Sequence, residues 1–385
     1  MIETASSSGG GKSPRRDLII VSSGLELDGG GRAMAGRLIA SGAADFARER
    51  GIRWELLSLA GLDGFSADPR ARSFGGRQRA LALAAWRRQL ASRRVACVYD
   101  LLGPARVQAW LPGRLRAPYM VAIYGVEVWH RLSGARYRAL QRATVRLTPS
   151  DCTLREARQA NGDFGAVEVL PLCLEERPPE GQADAALLDR AGRGYLLIVG
   201  RIVATERYKG HDQLLEVLPR LLSEAPDLRL VVAGDGDDRL RLEARAAALG
   251  LASRVLFTGF VSEATLAELY RRAAIFVMPS RGEGFGLVYL EAMRAGKPCV
   301  AARATAAAEV VADGETGLLV DPLDTQELAA ALGRLAADPE LAASMGQAGR
   351  QRFEQVFTLR RFRERLWPCL DRLVEEPDVR NQRHS

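Results

Sequence analysis

The feature that most constrains the fold is an alternation of short apolar, β-branched runs with longer helical stretches. It begins with DLIIVSSG (17–24), a glycine-rich elbow and an alanine-rich helix over 32–50. Strand-like runs then recur at 52–60, 95–100, 118–125 and 145–150. Strands separated by helices form parallel sheets, because each connecting helix packs back onto a face of the sheet. The first half of the chain is therefore predicted to be a parallel α/β sheet.

The alternation restarts after the polar, proline-containing stretch 174–186, which is typical of a linker. A second set of strand-like runs lies at 195–200, 228–234, 254–259, 275–280 and 297–302. Both halves have the pattern of doubly wound, Rossmann-like sheets, which bind ligands at the carboxyl ends of their strands. Two facing sheets of this kind predict a cleft between two domains.

These patterns divide the chain into four parts. Residues 1–16 are rich in Ser and Gly and are expected to be a disordered tail. An N-terminal Rossmann-like domain is expected over 17–173 and a C-terminal Rossmann-like domain over 187–357. The last part, 358–385, is expected to form a helix that returns to the N-terminal domain.

Composition excludes several classes of protein. With 47% hydrophobic and 26% charged residues, the chain of 385 residues is typical of globular domains. No apolar run approaches the ~20 residues of a membrane-spanning helix, and the first residues lack the apolar segment of a secretory signal. The five cysteines are scattered and the three histidines are far apart. We therefore expect reduced thiols, a cytoplasmic protein and no metal site.

Positive charge is concentrated in the first half, where residues 1–172 contain 26 Lys and Arg against 15 Asp and Glu. Such a half favours an anionic partner, such as a membrane surface, a lipid diphosphate or a nucleic acid. The stretch 81–95 places Trp86 and leucines among four arginines, as in a helix that lies on an anionic membrane. An ordinary solvated helix face has the same pattern, and both interpretations stay open.

The stretch GEGFGLVYLEA (282–292) combines a glycine elbow with two carboxylates, Glu283 and Glu291. It follows a strand and is expected to start a helix near Phe285. The N–H groups of residues 285–287 would then face an anion, aided by the helix dipole. Gly284 and Gly286 leave the backbone accessible to a phosphate. Two acids and a helix N-terminus suit a ligand that carries both hydroxyls and phosphates.

Cations for such a ligand occur in GRIVATERYKGHD (200–212). Arg201, after Gly200, closes the first strand of the second domain, and Lys209 opens the next helix. Both are therefore expected at the same sheet edge as Glu283. An Arg and a Lys there can neutralise a diphosphate without a metal ion. The acids of DGDD (235–238) are interpreted as helix caps and not as metal ligands.

These two segments, with 307–324, resemble the retaining GT-B glycosyltransferases of glycosyltransferase family 4. Glu283 and Glu291 match that family's E-x7-E motif, and the resemblance covers the second domain in order. It implies a GT-B fold, in which 17–173 is the acceptor-side domain and 187–357 the nucleotide-sugar domain, and a transfer that needs no cofactor. A hexose would move from a UDP- or GDP-linked sugar to a hydroxyl of a glycan or lipid-linked acceptor, with the anomeric configuration retained. The setting implied is surface polysaccharide or glycolipid synthesis.

The resemblance also implies roles for individual residues. Arg201, Lys209 and Glu283 would be catalytic: the two cations hold the departing diphosphate, and the carboxylate orients the sugar hydroxyls. Backbone N–H groups of Phe285, Gly286 and Leu287 would assist.

Three further donor contacts are implied by position. Glu291 would bind the ribose. In the first domain, the elbow LDGGGRAMAG (27–36) resembles the family's Gly-Gly loop, so that Gly30 and Gly31 would contact the phosphates or the acceptor. Base recognition is expected through backbone near FTGFV (257–261), which ends at Val261.

One departure from the family lies in VAIYGVEVWH (121–130), where the family often has a histidine and this chain has Tyr124. A phenol titrates near ~10 and is a poor base at neutral pH. Tyr124 is therefore interpreted as a neighbour of the reacting sugar that shapes the site. Glu127 is the nearest acid and the other candidate.

Two other functions stay open at this point. A nucleotide-sugar epimerase has the same two-domain plan, although the two acids and the Arg/Lys pair favour a transferase. A nucleic-acid-binding protein is indicated by the basic first half alone, because aromatic residues make up only 6% of the chain. We therefore expect no nucleic-acid partner.

Overall fold

The computed structural model describes residues 15–26, 30–92 and 94–375. Of the predicted tail over 1–16, residues 1–14 lie outside the described residues. Arg15 and Arg16 differ from a free tail, because both contact the last helix. The N–H of Arg16 donates to the carbonyl oxygen of Val374 (3.4 Å), and Arg15 forms an ion pair with Glu375 (3.1 Å).

Within the described residues the first sheet has seven strands, all parallel, in the order β3-β2-β1-β4-β5-β6-β7. The strands are β1 Asp17–Ser22, β2 Trp54–Ser58, β3 Ala71–Ser73, β4 Val95–Tyr99, β5 Tyr119–Ala122, β6 Val145–Thr148 and β7 Glu168–Val169. Side chains of β1 alternate between two cores. Leu18 and Ile20 pack on one face of the sheet, and Ile19 and Val21 on the other. Both faces are therefore covered, as the apolar runs predict.

The second sheet, again counted over the described residues, has six parallel strands in the order β10-β9-β8-β11-β12-β13. The strands are β8 Leu196–Val199, β9 Leu230–Ala233, β10 Val255–Gly259, β11 Ile275–Met278, β12 Cys299–Ala302 and β13 Gly317–Val320. Two doubly wound sheets are thus present, as predicted.

Helices cover both sheets. Those of the first half are α1 Gly30–Glu49, α2 Gln78–Ala91, α3 Leu102–Ala105, α4 Gly134–Gln141 and α5 Asp151–Asn161. The second half has α6 Ala185–Ala191, α7 His211–Glu224, α8 Arg239–Ala248, α9 Glu263–Arg272, α10 Leu287–Arg294, α11 Ala307–Val310, α12 Thr325–Ala337, α13 Pro339–Val356 and α14 Leu359–Glu375. No helix in the described part of the chain is both long and apolar enough to cross a membrane.

Helix α14 packs on the first sheet and not on the second. It is strongly amphipathic, and its buried residues Phe362, Leu366 and Leu370 join α1 in the core on that face. A β-carbon at Gly42 of α1 would lie 2.7 Å from Leu366 Cδ2, so the two helices approach closely. The chain therefore crosses from one half of the molecule to the other twice, once after β7 and once before α14.

The two crossings lie side by side. Leu174, after β7, forms a parallel β-bridge with Thr358, and its N–H donates to the carbonyl oxygen of Phe357 (3.1 Å). The segment that leaves the first sheet is thus bonded to the segment that returns to it. All five cysteines are buried thiols.

Candidate active site

The two sheets meet at their carboxyl edges, and Gly284 lies at the contact. Its carbonyl oxygen accepts hydrogen bonds from Ser150 Oγ (2.9 Å) and Thr153 Oγ1 (3.1 Å) of the first half. A β-carbon at position 284 would lie 2.2 Å from the carbonyl oxygen of Tyr124. Glycine is therefore required here because two backbones meet, which the sequence did not reveal.

A second contact joins the halves at the start of α5. Glu309 of α11 accepts hydrogen bonds from the N–H groups of Asp151 (2.9 Å) and Cys152 (2.6 Å). A carboxylate at a helix N-terminus satisfies unpaired N–H groups and interacts favourably with the helix dipole. The cleft is therefore closed in this structure by contacts that both halves supply.

Helix α10 begins at Leu287, two residues later than predicted. Gly286 precedes it with φ 95°, and a β-carbon there would lie 2.4 Å from the ring of Tyr289. Phe285 is buried, edge-on to Phe357 with 6.1 Å between ring centroids. The unpaired N–H groups of the helix therefore start at Leu287, and the prediction that residues 285–286 belong to the helix N-terminus is wrong.

Glu283 lies in the loop before α10 and is partly buried. Burial raises its pKa to about 7, while the charge of Lys209 lowers it and that of Glu206 raises it. At neutral pH this carboxyl group therefore exists in both protonation states. Glu283 follows β11 and Lys209 follows β8, and these two strands pair in the second sheet, so both residues lie beyond the same sheet edge.

The two predicted cations share an acidic partner that sequence reasoning missed. Glu206 Oε2 lies 2.9 Å from Lys209 Nζ, and Glu206 Oε1 contacts Arg201 Nη2. Lys209 extends over Gly200, where a β-carbon would lie 3.3 Å from Nζ. The available signal was local, because Glu206 stands between the two cations and three residues before Lys209, a spacing that brings side chains together in a helical turn.

Glu291 lies in the second turn of α10 and is partly buried beside Tyr270 of α9. Desolvation raises its pKa, while the Tyr270 hydroxyl and the charge of Arg294 favour the ionised form. Among the described residues, Glu291 Oε2 and the Tyr270 hydroxyl are buried without a hydrogen-bond partner.

The start of α1 faces α10 across the cleft. A β-carbon at Gly31 would lie 4.0 Å from Leu287 Cδ1, and Ala35 belongs to the core of the second half. Gly30 opens the helix with φ 67°. Residues 27–29 of the predicted elbow lie outside the described residues. The structure thus brings Gly30 and Gly31 to the start of α10.

Tyr124 follows β5 and packs against the cores of both halves. Burial raises the pKa of this phenol well above its ordinary value, and the charges of Asp100 and Glu127 add to the effect. The Tyr124 N–H donates to Glu127 Oε1 (2.6 Å). Glu127 therefore stabilises the turn after β5, and Tyr124 stays a neutral phenol at the domain contact.

Asp100, at the end of β4, was also missed. Although buried, it accepts hydrogen bonds from Ser22 Oγ (2.6 Å) and Ser23 N–H (2.9 Å), and burial raises its pKa to about 6. A β-carbon at Gly36 would lie 2.8 Å from its Oδ2. Asp100 thus holds the end of β1 against α1. The signal was an acid directly after a fully apolar strand.

Val261 follows β10, at the carboxyl edge of the second sheet. With Phe260 and Ser262 it lines an open cavity of about 720 Å3, whose other wall is formed by residues 182–187. Phe260 is 80% exposed. This predicted donor residue therefore lies beside an accessible aromatic side chain.

The acids of DGDD do not act as the predicted side-chain cap. Asp238 precedes α8 without a side-chain cap bond and forms ion pairs with Arg207 (2.6 Å) and Arg241 (2.7 Å). These pairs lower the pKa of Asp238 far below its usual range. Across the described ranges, no three His, Cys, Asp or Glu side chains are grouped to hold a metal ion.

Two parallel sheets that meet at their carboxyl edges, with cations beside a carboxyl group, define an α/β protein suited to anionic, hydroxylated ligands. Anabaena HepE in complex with UDP superposes with a TM-score of 0.75, 19% identity, and coverage of 92% of this chain and 99% of that chain. Sucrose-phosphate synthase from Thermosynechococcus elongatus superposes with a TM-score of 0.73 and 21% identity, over 93% of this chain and 99% of that chain. The chain has the GT-B fold, which confirms the predicted fold class.

The family model described as "Glycosyl transferases group 1" matches residues 182–352. The GDP-mannose-dependent alpha-(1-6)-phosphatidylinositol monomannoside mannosyltransferase of Mycolicibacterium smegmatis is 37% identical over 265 residues, which are 65% of this chain and 68% of that one. The D-inositol 3-phosphate glycosyltransferase of Acidothermus cellulolyticus is 37% identical over 210 residues, 50% of this chain and 46% of that one. The chain belongs to the group 1 glycosyl transferases, and its predicted class, a glycosyltransferase, is confirmed.

Proposed function

We propose that the chain is a retaining, metal-independent hexosyltransferase of glycosyltransferase family 4. It would transfer a hexose from a nucleoside diphosphate sugar to a hydroxyl of a glycan or lipid-linked acceptor. The observation that carries the proposal is the pair of cations, Arg201 and Lys209, that share the partner Glu206 after strand β8. Glu283 follows β11, the strand that pairs with β8 in the same sheet. Cations beside a carboxyl group match a diphosphate that is attached to a sugar.

The diphosphate half of the donor is assigned to Arg201 and Lys209. Arg201 supplies a planar fork of N–H groups and Lys209 a compact positive charge, and Gly200 leaves room for the lysine side chain. The N–H groups at the start of α10, from Leu287 onward, add partial positive charge. Fewer backbone groups of residues 284–286 are assigned to the donor than the sequence suggested, because Gly284 and Phe285 make packing contacts within the protein.

The sugar and nucleoside are assigned to the carboxyl groups. Glu283 would accept hydrogen bonds from hexose hydroxyls, and Glu291 from the two ribose hydroxyls. The base would lie against the backbone near Val261. Since each carboxylate meets a neutral, hydroxylated end of the donor, neither opposes the diphosphate directly.

The transfer breaks the bond between the anomeric carbon and the diphosphate oxygen and forms one between that carbon and the acceptor oxygen. Retention follows when the acceptor enters on the face that the diphosphate leaves. The acceptor proton then passes to the departing phosphate oxygen, so that no side-chain base is needed. Charge grows on the diphosphate during this step, which is where Arg201 and Lys209 would stabilise the transition state.

The donor and acceptor are proposed from the relatives and the charge distribution. The Mycolicibacterium smegmatis relative is named for GDP-mannose and a phosphatidylinositol mannoside, and we propose GDP-mannose ahead of UDP-sugars as donor. A lipid-linked acceptor fits a cytoplasmic enzyme held at the inner face of an anionic membrane. Helix α2 offers Arg87 and Arg88 with Leu83 (49% exposed) and Leu90 (55%) for that contact.

The test is a thermal-shift screen against GDP- and UDP-sugars, followed by transfer to a phosphoinositide or glycan acceptor. A donor present at 100 times its Kd should stabilise the protein by ~2.7 kcal/mol. The anomeric configuration of the product is read by NMR, and activity is expected to persist in EDTA. An inverted product contradicts retention, and loss of activity in EDTA contradicts metal independence.

An epimerase remains the second candidate. It would convert the nucleotide-sugar without an acceptor, whereas a transferase gives only slow hydrolysis of the donor. Rapid turnover of the donor in the absence of an acceptor would therefore support the epimerase and contradict the transferase.

A further inference from the structure

Glu206 lies between the two cations proposed to bind the diphosphate. One carboxylate oxygen contacts the Arg201 guanidinium, and the other lies 2.9 Å from Lys209 Nζ. The side chains of Glu206 and Lys209 are 13% and 15% exposed, whereas that of Arg201 is 63% exposed. The acid is thus enclosed between the cations and makes the contacts that a diphosphate would make.

The backbone holds Glu206 in this position. It belongs to a 3-10 turn over Ala204–Lys209, in which its own φ and ψ (−120°, 27°) depart from helical values. Its N–H donates to the carbonyl oxygen of Val203 (2.8 Å). The charge of Glu206 is felt by both Tyr208 and Glu283. The contacts with Arg201 and Lys209 hold the carboxylate largely out of solvent.

Once a donor is bound, the position of the Glu206 carboxylate between the two cations becomes electrostatically unfavourable. A diphosphate that reached Arg201 and Lys209 would bring two negative charges to within a few ångströms of the carboxylate. Like charges at that separation repel strongly in a partly buried site. Without a donor the carboxylate is favourable in this position, because the two neighbouring cations repel each other unless a counter-ion lies between them.

We propose that Glu206 is a displaceable counter-ion of the diphosphate site. It neutralises Arg201 and Lys209 when the site is empty, and the donor diphosphate displaces it. This inference rests on the proposed function and adds a positioning residue to it.

The alternative role is a permanent brace that orients the two cations. It predicts the opposite change in diphosphate affinity when Glu206 is removed. If Glu206 is displaced, its removal strengthens the binding of diphosphates, because the anion that competes for the same N–H groups is gone. If Glu206 is a brace, its removal weakens binding, because Lys209 and Arg201 lose their orientation.

The experiment measures Kd by calorimetry for GDP, UDP and inorganic pyrophosphate, with the wild type and Glu206→Gln. We expect each diphosphate that binds to do so about tenfold more tightly to the variant, the size of change that loss of one partly buried ion-pair competitor produces. In turnover, the KM for the donor should fall, and inhibition by the nucleoside diphosphate product should strengthen, because the product leaves more slowly.

The matched control is Glu354→Gln, which removes the same charge from an exposed pair with Arg350 (3.0 Å) and should leave every Kd unchanged. Glu206→Ala, checked for folding by thermal unfolding, should tighten binding in the same direction. Equal or weaker diphosphate binding by both Glu206 variants would overturn the inference and leave the proposed function standing. Tighter pyrophosphate binding by the variants, with no binding of GDP or UDP to any protein, would support the counter-ion and overturn the nucleotide-sugar assignment.

Discussion

Lys209 is the residue at which the charges of the site meet, because its ammonium group lies 2.9 Å from Glu206 Oε2 and its charge lowers the pKa of Glu283. A cation that meets growing charge on a leaving group stabilises the transition state more than the ground state. Its effect should therefore appear in the rate of transfer more than in the binding of the donor.

Lys209→Ala is expected to lower kcat about 100-fold, the typical loss on removing one such donor, with a smaller change in KM. Steady-state kinetics with donor and acceptor varied separately will check this. Arg350→Ala, which removes an exposed cation, should leave kcat unchanged. A Lys209→Ala variant whose kcat lies within about twofold of the wild type contradicts the diphosphate assignment.

Glu283 should give the activity a pH dependence. Burial raises the pKa of its carboxyl group to about 7, so the group is protonated below that pH and ionised above it. Since the ionised form accepts hydrogen bonds from the sugar hydroxyls, kcat/KM for the donor should rise with pH and level off above 7. The rise reports a pKa of the free enzyme.

The matched variant is Glu283→Gln, which cannot ionise and should have a lower kcat/KM without this rise. Profiles are to be measured from about pH 5.5 to 8.5, with folding checked at each pH. A flat wild-type profile, or the same rise in the variant, would show that another group is responsible.

At the scale of elements, the strands and the helix starts were predictable to different degrees. The ten predicted strands are buried, apolar runs whose pattern is local. Two short edge strands, β3 and β7, have three and two residues without a buried apolar run and gave no such signal. The edge strand β13 is a buried apolar run that was not predicted as a strand. The start of α10 was misplaced because the left-handed conformation of Gly286 depends on its packing against Tyr289.

The position of site residues was predictable where they follow strands of one parallel sheet. Glu283, Lys209 and Arg201 could be placed at one sheet edge from strand order alone. Asp100 and Glu206 could not be recognised in the same way, because their importance lies in their partners. Asp100 acts through serines at the end of another strand, and Glu206 through a turn that is not a regular helix.

The loop between β11 and α10 carries the most specific prediction at this scale. Gly284→Ala would place a β-carbon 2.2 Å from the Tyr124 carbonyl oxygen, so the two halves cannot close as they do here. We expect the rate of transfer to fall at least about tenfold, because groups on the two halves would no longer be correctly oriented toward each other. The unfolding temperature should change little. Scattering should show a larger radius of gyration in the presence of donor.

The control is Gly103→Ala, because a β-carbon at Gly103 would meet no atom within 4 Å. It should match the wild type in both activity and scattering. Full activity of Gly284→Ala, with an unchanged scattering profile, would show that closure tolerates the extra methyl group.

At the scale of the whole molecule, the stability of the first half depends on the end of the chain. Leu366 of α14 is fully buried against α1 and Phe362. Leu366→Ala should therefore destabilise the protein by about 2–5 kcal/mol, through lost burial and the cavity that remains. Urea unfolding will measure this. Leu249→Ala, at a side chain that is 42% exposed, should change stability far less, and equal losses in the two variants would contradict the packing role of α14.

The paired crossings at Leu174 and Phe357 also bear on how the molecule moves. Two chain segments that are hydrogen-bonded side by side resist twisting of one half against the other, because a twist would shear that bond. Bending across the pair changes only a few backbone dihedrals, as in hinged domain closure. We therefore expect opening and closing to follow a single rotation axis. Each closure about that axis would bring Gly284 back to the same backbone contact with Tyr124.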